Sequence, residues 1–233
     1  MRRRWALILL GVTVIAVAVF LGFPRLDIAL SKMALRSDGH FLLYYERNTY
    51  LLHLALQYVV PAVIAFCVVA AIAWRLGRPI WGITAWQALF VILAFAIGPG
   101  LLVNVVLKNN SHRPRPANVQ DFGGSSDYAP PFDFSGACDT NCSFVAGDPS
   151  MGFGFLAVAL LLPPARRNRA AVAAIGLGAA IGLMRILWGA HFFSDVVFSG
   201  IATCAAVLAL HWAMFAADGS PRGRWGRQLS VRA

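Results

Sequence analysis

The chain has 233 residues, of which 59% are hydrophobic and only 13% charged, a balance far more apolar than that of an ordinary globular domain. Its formal net charge of +10 invites a nucleic-acid reading, but the basic residues fall in short clusters between long apolar runs, which is how membrane proteins encode orientation. These features exclude a soluble domain and a nucleic-acid binder, and predict an all-α, polytopic membrane protein whose single domain covers residues 1–233.

Arg2, Arg3 and Arg4 lead into an uncharged run from Trp5 to Phe23, about nineteen residues long. A signal peptide would begin the same way. This run, however, exceeds a typical signal core and no small-x-small cleavage site precedes Pro24, so an uncleaved first span is expected over 5–23. Pro24 to Tyr50 is amphipathic, with Leu26, Ile28, Ala29, Met33 and Leu35 set among Asp27, Lys32 and Arg36. It reads as a segment lying at the membrane interface, where it would shape the entrance for acyl chains.

A second span is expected over 51–74, ended by Arg75, Gly77, Arg78 and Pro79, and a third over 83–107, kinked at Gly98, Pro99 and Gly100. The one long polar stretch follows, residues 108–149, carrying Asp121, Asp127, Asp133, Asp139 and Asp148; a loop of that length is usually functional or disordered. Three more spans are expected over 146–163, 170–188 and 196–216. The fifth is rich in glycine and alanine, which permits close helix packing.

Six spans place both termini on one side. If that side is cytoplasmic it carries twelve basic residues: Arg2, Arg3, Arg4, Arg75, Arg78, Arg166, Arg167, Arg169, Arg222, Arg224, Arg227 and Arg232. The other side has eight: Arg25, Lys32, Arg36, Arg47, Lys108, Arg113, Arg115 and Arg185. The bias puts the termini inside, and the 108–149 loop and the Arg185 to Asp195 stretch outside. Cys67 and Cys204 fall within spans and read as small buried apolar side chains. Cys138 and Cys142 share the polar loop, where a disulfide would form if the loop lies outside the cytoplasm; a metal site is disfavoured because no second pair of ligands stands at a matching spacing.

Three polar stretches carry chemistry. Lys108 to Pro116, Lys-Asn-Asn-Ser-His-Arg-Pro-Arg-Pro, sets two cations seven positions apart on a proline-stiffened segment. They suit an anion, and phosphate is the anion that membranes supply; a basic flank on lipid headgroups is the plainer alternative. Cys142 to Ser150 places a small-Gly turn just before an apolar helix, where free backbone N–H groups can face an anion, unless Asp148 or Ser150 merely caps that helix. The third runs from Arg185 through His191 to Asp195. Ionisable residues beside membrane spans are costly and are retained with a partner nearby; a carboxylate four residues after the histidine can hold one ring nitrogen and leave the other free.

Together these segments resemble the type 2 phosphatidic acid phosphatase superfamily of membrane lipid phosphatases. The family pattern is Lys-x6-Arg-Pro, then Pro-Ser-Gly-His, then Ser-Arg-x5-His-x3-Asp. The first is complete as Lys108, Arg115 and Pro116, and the third from Arg185 through His191 to Asp195, with Met184 in the serine position. The middle motif departs: Val145, Ala146, Gly147 and Asp148 occupy its positions and only the glycine matches. That form is similar to a variant associated with bacterial lipid A phosphatases.

The resemblance implies hydrolysis of a phosphate ester on a membrane lipid, without a metal or other cofactor, at the outer face of a bacterial inner membrane. His191 would attack phosphorus, Asp195 would orient it and stabilise its charge, and Lys108, Arg115, Arg185 and the Gly147 backbone would hold the phosphoryl oxygens. Asp148 would protonate the leaving oxygen in place of the family histidine, with His112 as the fallback donor. Lipid A, undecaprenyl diphosphate, phosphatidylglycerol phosphate and phosphatidic acid all fit such cations. A phosphotransferase and a non-hydrolytic binder of phosphorylated lipid are the rival readings.

Overall fold

The uncharged run after the N-terminal arginines forms α1, Arg2–Gly22, which stops just short of Pro24, as helices do near a proline. The protein is described here by a computed structural model that covers residues 2–44, 46–216 and 218–230; Arg232, counted above with the basic tail, lies outside them. A short helix α2, Leu26–Lys32, follows, and its Asp27 is fully buried. Residues 33–44 then form an irregular strap in which the Leu43 N–H donates to the Leu187 carbonyl at 3.0 Å. The interfacial segment expected over 24–50 is therefore a short helix plus a strap tied to the rest of the bundle.

Next come α3, Arg47–Arg75, and α4, Ala85–Phe95, the latter opened by a capping box between Thr84 and Gln87. The chain continues from α4 without a break into wider π-type turns over Ala96–Leu107. Pro99 lies inside these turns and has no N–H to give the α ladder. Where a kink was expected at residues 98–100, the helix thus changes its type. The Asn104 side chain donates to the Pro99 carbonyl at 2.7 Å within these turns.

The polar loop is ordered. It contains two 3-10 turns, Pro116–Asn118 and Gln120–Phe122, and the disulfide Cys138–Cys142. The disulfide ring lies against the basic segment: the Cys138 N–H donates to the His112 carbonyl at 3.0 Å and the Ser143 N–H to the Arg113 carbonyl at 2.8 Å.

The fourth expected span is the shorter apolar segment Gly147–Leu161, made of α5, Gly147–Gly154, and α6, Leu156–Leu161, which meet at Phe155. Then α7, Pro164–Leu187, begins six residues before the expected start at 170, because a proline in the first helical turn is already set for it. Arg166, Arg167 and Arg169 consequently lie in α7 and not in a connection. Next is α8, Phe193–Met214, and α9, Gly223–Ser230, ends the described chain.

Among the described residues, five helices are long and apolar enough to cross a membrane: α1, α3, α4 with its π turns, α7 and α8. Their burial is unequal. The apolar stretches of α1 and α3 are 11% buried and that of α8 is 56% buried, so α8 is the central helix and α1 and α3 turn apolar side chains such as Leu10, Ile15, Val69 and Ile72 outward. The chain is a polytopic all-α membrane protein, with Phe90, Phe95, Leu156, Val207 and Phe215 in its largest core cluster. Small residues set the central spacing: a Cβ on Gly152 would stand 2.7 Å from the backbone of Gly178, so α5 and α7 touch main chain to main chain.

Candidate active site

All three polar stretches meet at one end of the bundle. Lys108 ends the π turns, Asp148 sits in the first turn of α5, Arg185 in the last turn of α7, and His191 in the connection to α8. The Ala146 N–H donates to the Asp195 carbonyl at 3.1 Å, and the Ala117 N–H to the Gly189 carbonyl at 3.0 Å, which fasten the long loop to the start of α8 and the end of α7.

His191 is 1% exposed. Its Nδ1 lies 2.9 Å from the Ser143 carbonyl oxygen. A carbonyl can only accept, so Nδ1 carries the proton and Nε2 is left with its lone pair. The Asp195 carboxylate is farther away, 3.7 Å from Nδ1: it supplies charge beside the ring, and the hydrogen bond that fixes the tautomer comes from Ser143. Burial pushes the His191 imidazole down to about 4, with Asp195 pulling the other way, so the ring is neutral and nucleophilic at physiological pH.

Asp195 is itself clamped. One carboxylate oxygen accepts from the Ser143 hydroxyl at 2.5 Å and the Phe192 N–H at 2.7 Å. The other accepts from the Arg113 guanidinium at 2.5 Å. Arg113 is fully enclosed and uses every nitrogen: its Nε donates to the Ala129 carbonyl at 2.8 Å, and its two terminal nitrogens also reach the Ser194 hydroxyl, Asp27 at 2.8 Å and the Tyr128 hydroxyl at 3.1 Å. Its guanidinium lies 4.3 Å from the centre of the Phe192 ring. Burial works against the Arg113 charge, but Asp195 and Asp27 more than offset it and raise its pKa. Asp27 in turn accepts from the Ser194 N–H at 2.9 Å and from the Ser194 hydroxyl.

The opposite side of the imidazole is a cluster of cations. Burial first, then the charges of Arg115 and Arg185, push the Lys108 ammonium down to about 8, with Asp148 and Asp195 opposing. Burial also lowers Arg115, whose guanidinium donates to the Asn141 carbonyl at 3.2 and 3.0 Å from two nitrogens. The Arg185 Nε stands 3.0 Å from an Asp148 oxygen, an ion-pair distance, yet its N–H is not aligned for a hydrogen bond. Asp148 also lies 3.5 Å from Nδ1 of His53 on α3.

Gly147 packs where a Cβ would stand 2.3 Å from the Asn104 side-chain oxygen, so a glycine is needed there for α5 to approach the π turns. The start of α5 has Ala146 at its cap and no side-chain cap, and the Ser150 hydroxyl points back to the Gly147 carbonyl; neither Asp148 nor Ser150 caps this helix. The disulfide ring holds the Asn141 carbonyl against Arg115, and Ser143, the residue just after the ring, sets its carbonyl against His191.

Lys108, Arg115, Arg185, Asp148, His191 and Asp195 thus share one site, while the fallback donor His112 turns its Nδ1 to the Cys138 carbonyl at 3.0 Å. Sequence reasoning did not single out His53, Ser143, Arg113 or Asp27. The available signal for the last two was cost: Asp27 sits in an apolar segment, where a carboxylate requires a partner.

The sequence that builds this site has parallels in known proteins. The chain is 40% identical over 199 residues to the lipid A 4'-phosphatase of Francisella tularensis subsp. novicida, a match that covers 83% of this chain and 89% of that one. It is 31% identical to the lipid A 4'-phosphatase of Rhizobium leguminosarum, over 83% of this chain and 90% of the relative. No solved structure matches significantly. Residues 89–218 match the PAP2 superfamily, and they hold all three polar stretches of the site, from Lys108 to Asp195: the chain belongs to the PAP2 superfamily.

Proposed function

We propose that the protein is a lipid A 4'-phosphatase, hydrolysing a phosphate monoester on the sugar headgroup of a membrane lipid through a phosphohistidine. The carrying observation is the His191 tautomer: with Nδ1 held by Ser143, Nε2 is a neutral lone pair beside Lys108, Arg115 and Arg185. Lys108, Arg115 and Arg185 gather three positive charges at this side of the ring, which suits a phosphate monoester of about −2. The first turn of α5 at Gly147 adds backbone N–H groups to the same anion site.

In the first step Nε2 attacks phosphorus and the bond to the sugar oxygen breaks, while Asp148 gives that oxygen its proton. Asp195 balances the positive charge that the imidazole acquires. Water then attacks phosphorus, the P–N bond breaks, phosphate leaves, and the water's proton goes to the Asp148 carboxylate. The 40% identity to a lipid A 4'-phosphatase across most of both chains supports the substrate. In this reading six helices cross a bacterial inner membrane, with α5 and α6 completing the fourth crossing, the termini in the cytoplasm and the site at the periplasmic face, where a disulfide such as Cys138–Cys142 persists.

Purified protein is expected to release inorganic phosphate from lipid A in the presence of a chelator, and His191→Ala to abolish the release. Lipid A left unhydrolysed by the wild-type protein contradicts the substrate; release that survives the substitution contradicts the nucleophile.

A further inference from the structure

Beside the phosphate cations opens a cleft of about 470 Å³, within the range of roughly 300–1,000 Å³ in which small molecules are held. Arg115 and Arg185 form one edge of it. Its far wall comes from the start of α3 and the strap before it: Tyr44, Glu46, Arg47 and Tyr50. Trp188 forms the side between. These walls are held in place. The Trp188 Nε1–H donates to Thr49 at 2.9 Å, the Tyr50 and Trp188 rings lie 6.2 Å apart and 27° from parallel, and the Arg185 guanidinium is 5.0 Å from the Trp188 ring.

The lining specifies a chemistry. Aromatic faces take the C–H faces of a ring. The Glu46 carboxylate accepts hydrogen bonds and would repel a second phosphate, so it calls for hydroxyl or amide donors, while Arg47 donates to hydroxyl or carbonyl oxygens. An acyl chain here would strip water from both charges without pairing them. A second groove, between α1, α7 and α8, is lined by apolar residues alone, among them Ile8, Val12, Leu183 and Val197. Faces, donors and acceptors together describe a pyranose.

We infer that the cleft walled by Tyr44, Tyr50 and Trp188 is the sugar subsite, which binds the pyranose carrying the scissile phosphate and aims that phosphate at His191. This rests on the proposed reading that the substrate phosphate is borne by a sugar. Arg185 joins the two subsites, since it lines the cleft, packs on Trp188 and pairs with Asp148.

The test uses full-length protein in detergent with three probes: lipid A, the phosphate-free glucosamine disaccharide, and inorganic phosphate as inhibitor. Tyr50→Ala and Glu46→Gln are expected to raise KM for lipid A about tenfold each and to weaken disaccharide binding by a similar factor. The inhibition constant of inorganic phosphate should stay within about twofold. Unchanged KM and disaccharide binding overturn the subsite, as does a phosphate inhibition constant that rises in step, since the substitution would then act on the phosphate pocket. If the wild-type protein hydrolyses no lipid A yet binds the disaccharide in a Tyr50-dependent way, the proposed substrate fails and the sugar subsite stands.

Discussion

The two sides of His191 are built differently. Behind the ring, Asp195, Arg113, Asp27, Ser143 and Ser194 are all about 0–1% exposed and joined by short, direct hydrogen bonds. In front, Lys108 and Arg115 are half-buried, Arg185 has an unsatisfied N–H, and Arg115 rests on a single backbone carbonyl. The back is saturated and holds a nucleophile still. The front keeps unspent donors for a ligand, the division expected when positioning and charge stabilisation are assigned to separate residues.

The contrast breaks most completely at Arg113. Arg113→Ala leaves Asp27 and Asp195 buried without their shared cation and should cost about 3–5 kcal/mol of stability, read as a fall in the thermal unfolding midpoint in detergent together with loss of phosphate release. Arg115→Ala, on the front, should lower activity and leave that midpoint nearly unchanged. Equal destabilisation by the two would erase the distinction.

Next in size is the proton donor. Asp148→Asn should slow phosphate release from lipid A by about 10²–10⁴-fold, and much less with p-nitrophenyl phosphate, whose leaving group needs no proton. An equal loss on both substrates would make Asp148 a positioning residue for Arg185.

The smallest expected effect is a pH limb. Lys108 is charged below about 8 and neutral above it, so kcat/KM should fall as pH rises through 8, by roughly tenfold to a hundredfold as one charged contact is lost. Lys108→Arg should move that limb upward by more than one pH unit, because guanidinium keeps its proton. A limb that stays near 8 in the variant assigns it to another group.

The front of the site was legible in the sequence, and of the back only Asp195 was. Lys108 and Arg115, and Arg185, His191 and Asp195, are set by local spacing that survives in one dimension, and apolar run length marked the five long helices. The two carboxylate partners of Arg113 lie 82 and 86 positions away, His53 comes from another helix, and no local period records either contact. Asp195 was expected to hold the imidazole; the structure gives that hydrogen bond to the Ser143 backbone, which any residue type provides and no sequence pattern marks. The boundary of α7 moved because proline can start a helix as well as stop one. The kink at Pro99 became a run of π turns because Pro99 removes a donor without ending the helix.

The most direct test of the central claim is to trap the covalent intermediate. Wild-type protein mixed with lipid A carrying a radiolabelled 4'-phosphate, then quenched in alkali to preserve a phosphoramidate, should carry the label on His191, and His191→Ala should carry none. Label absent from the wild-type protein while phosphate is released, or label at another residue, would contradict the account.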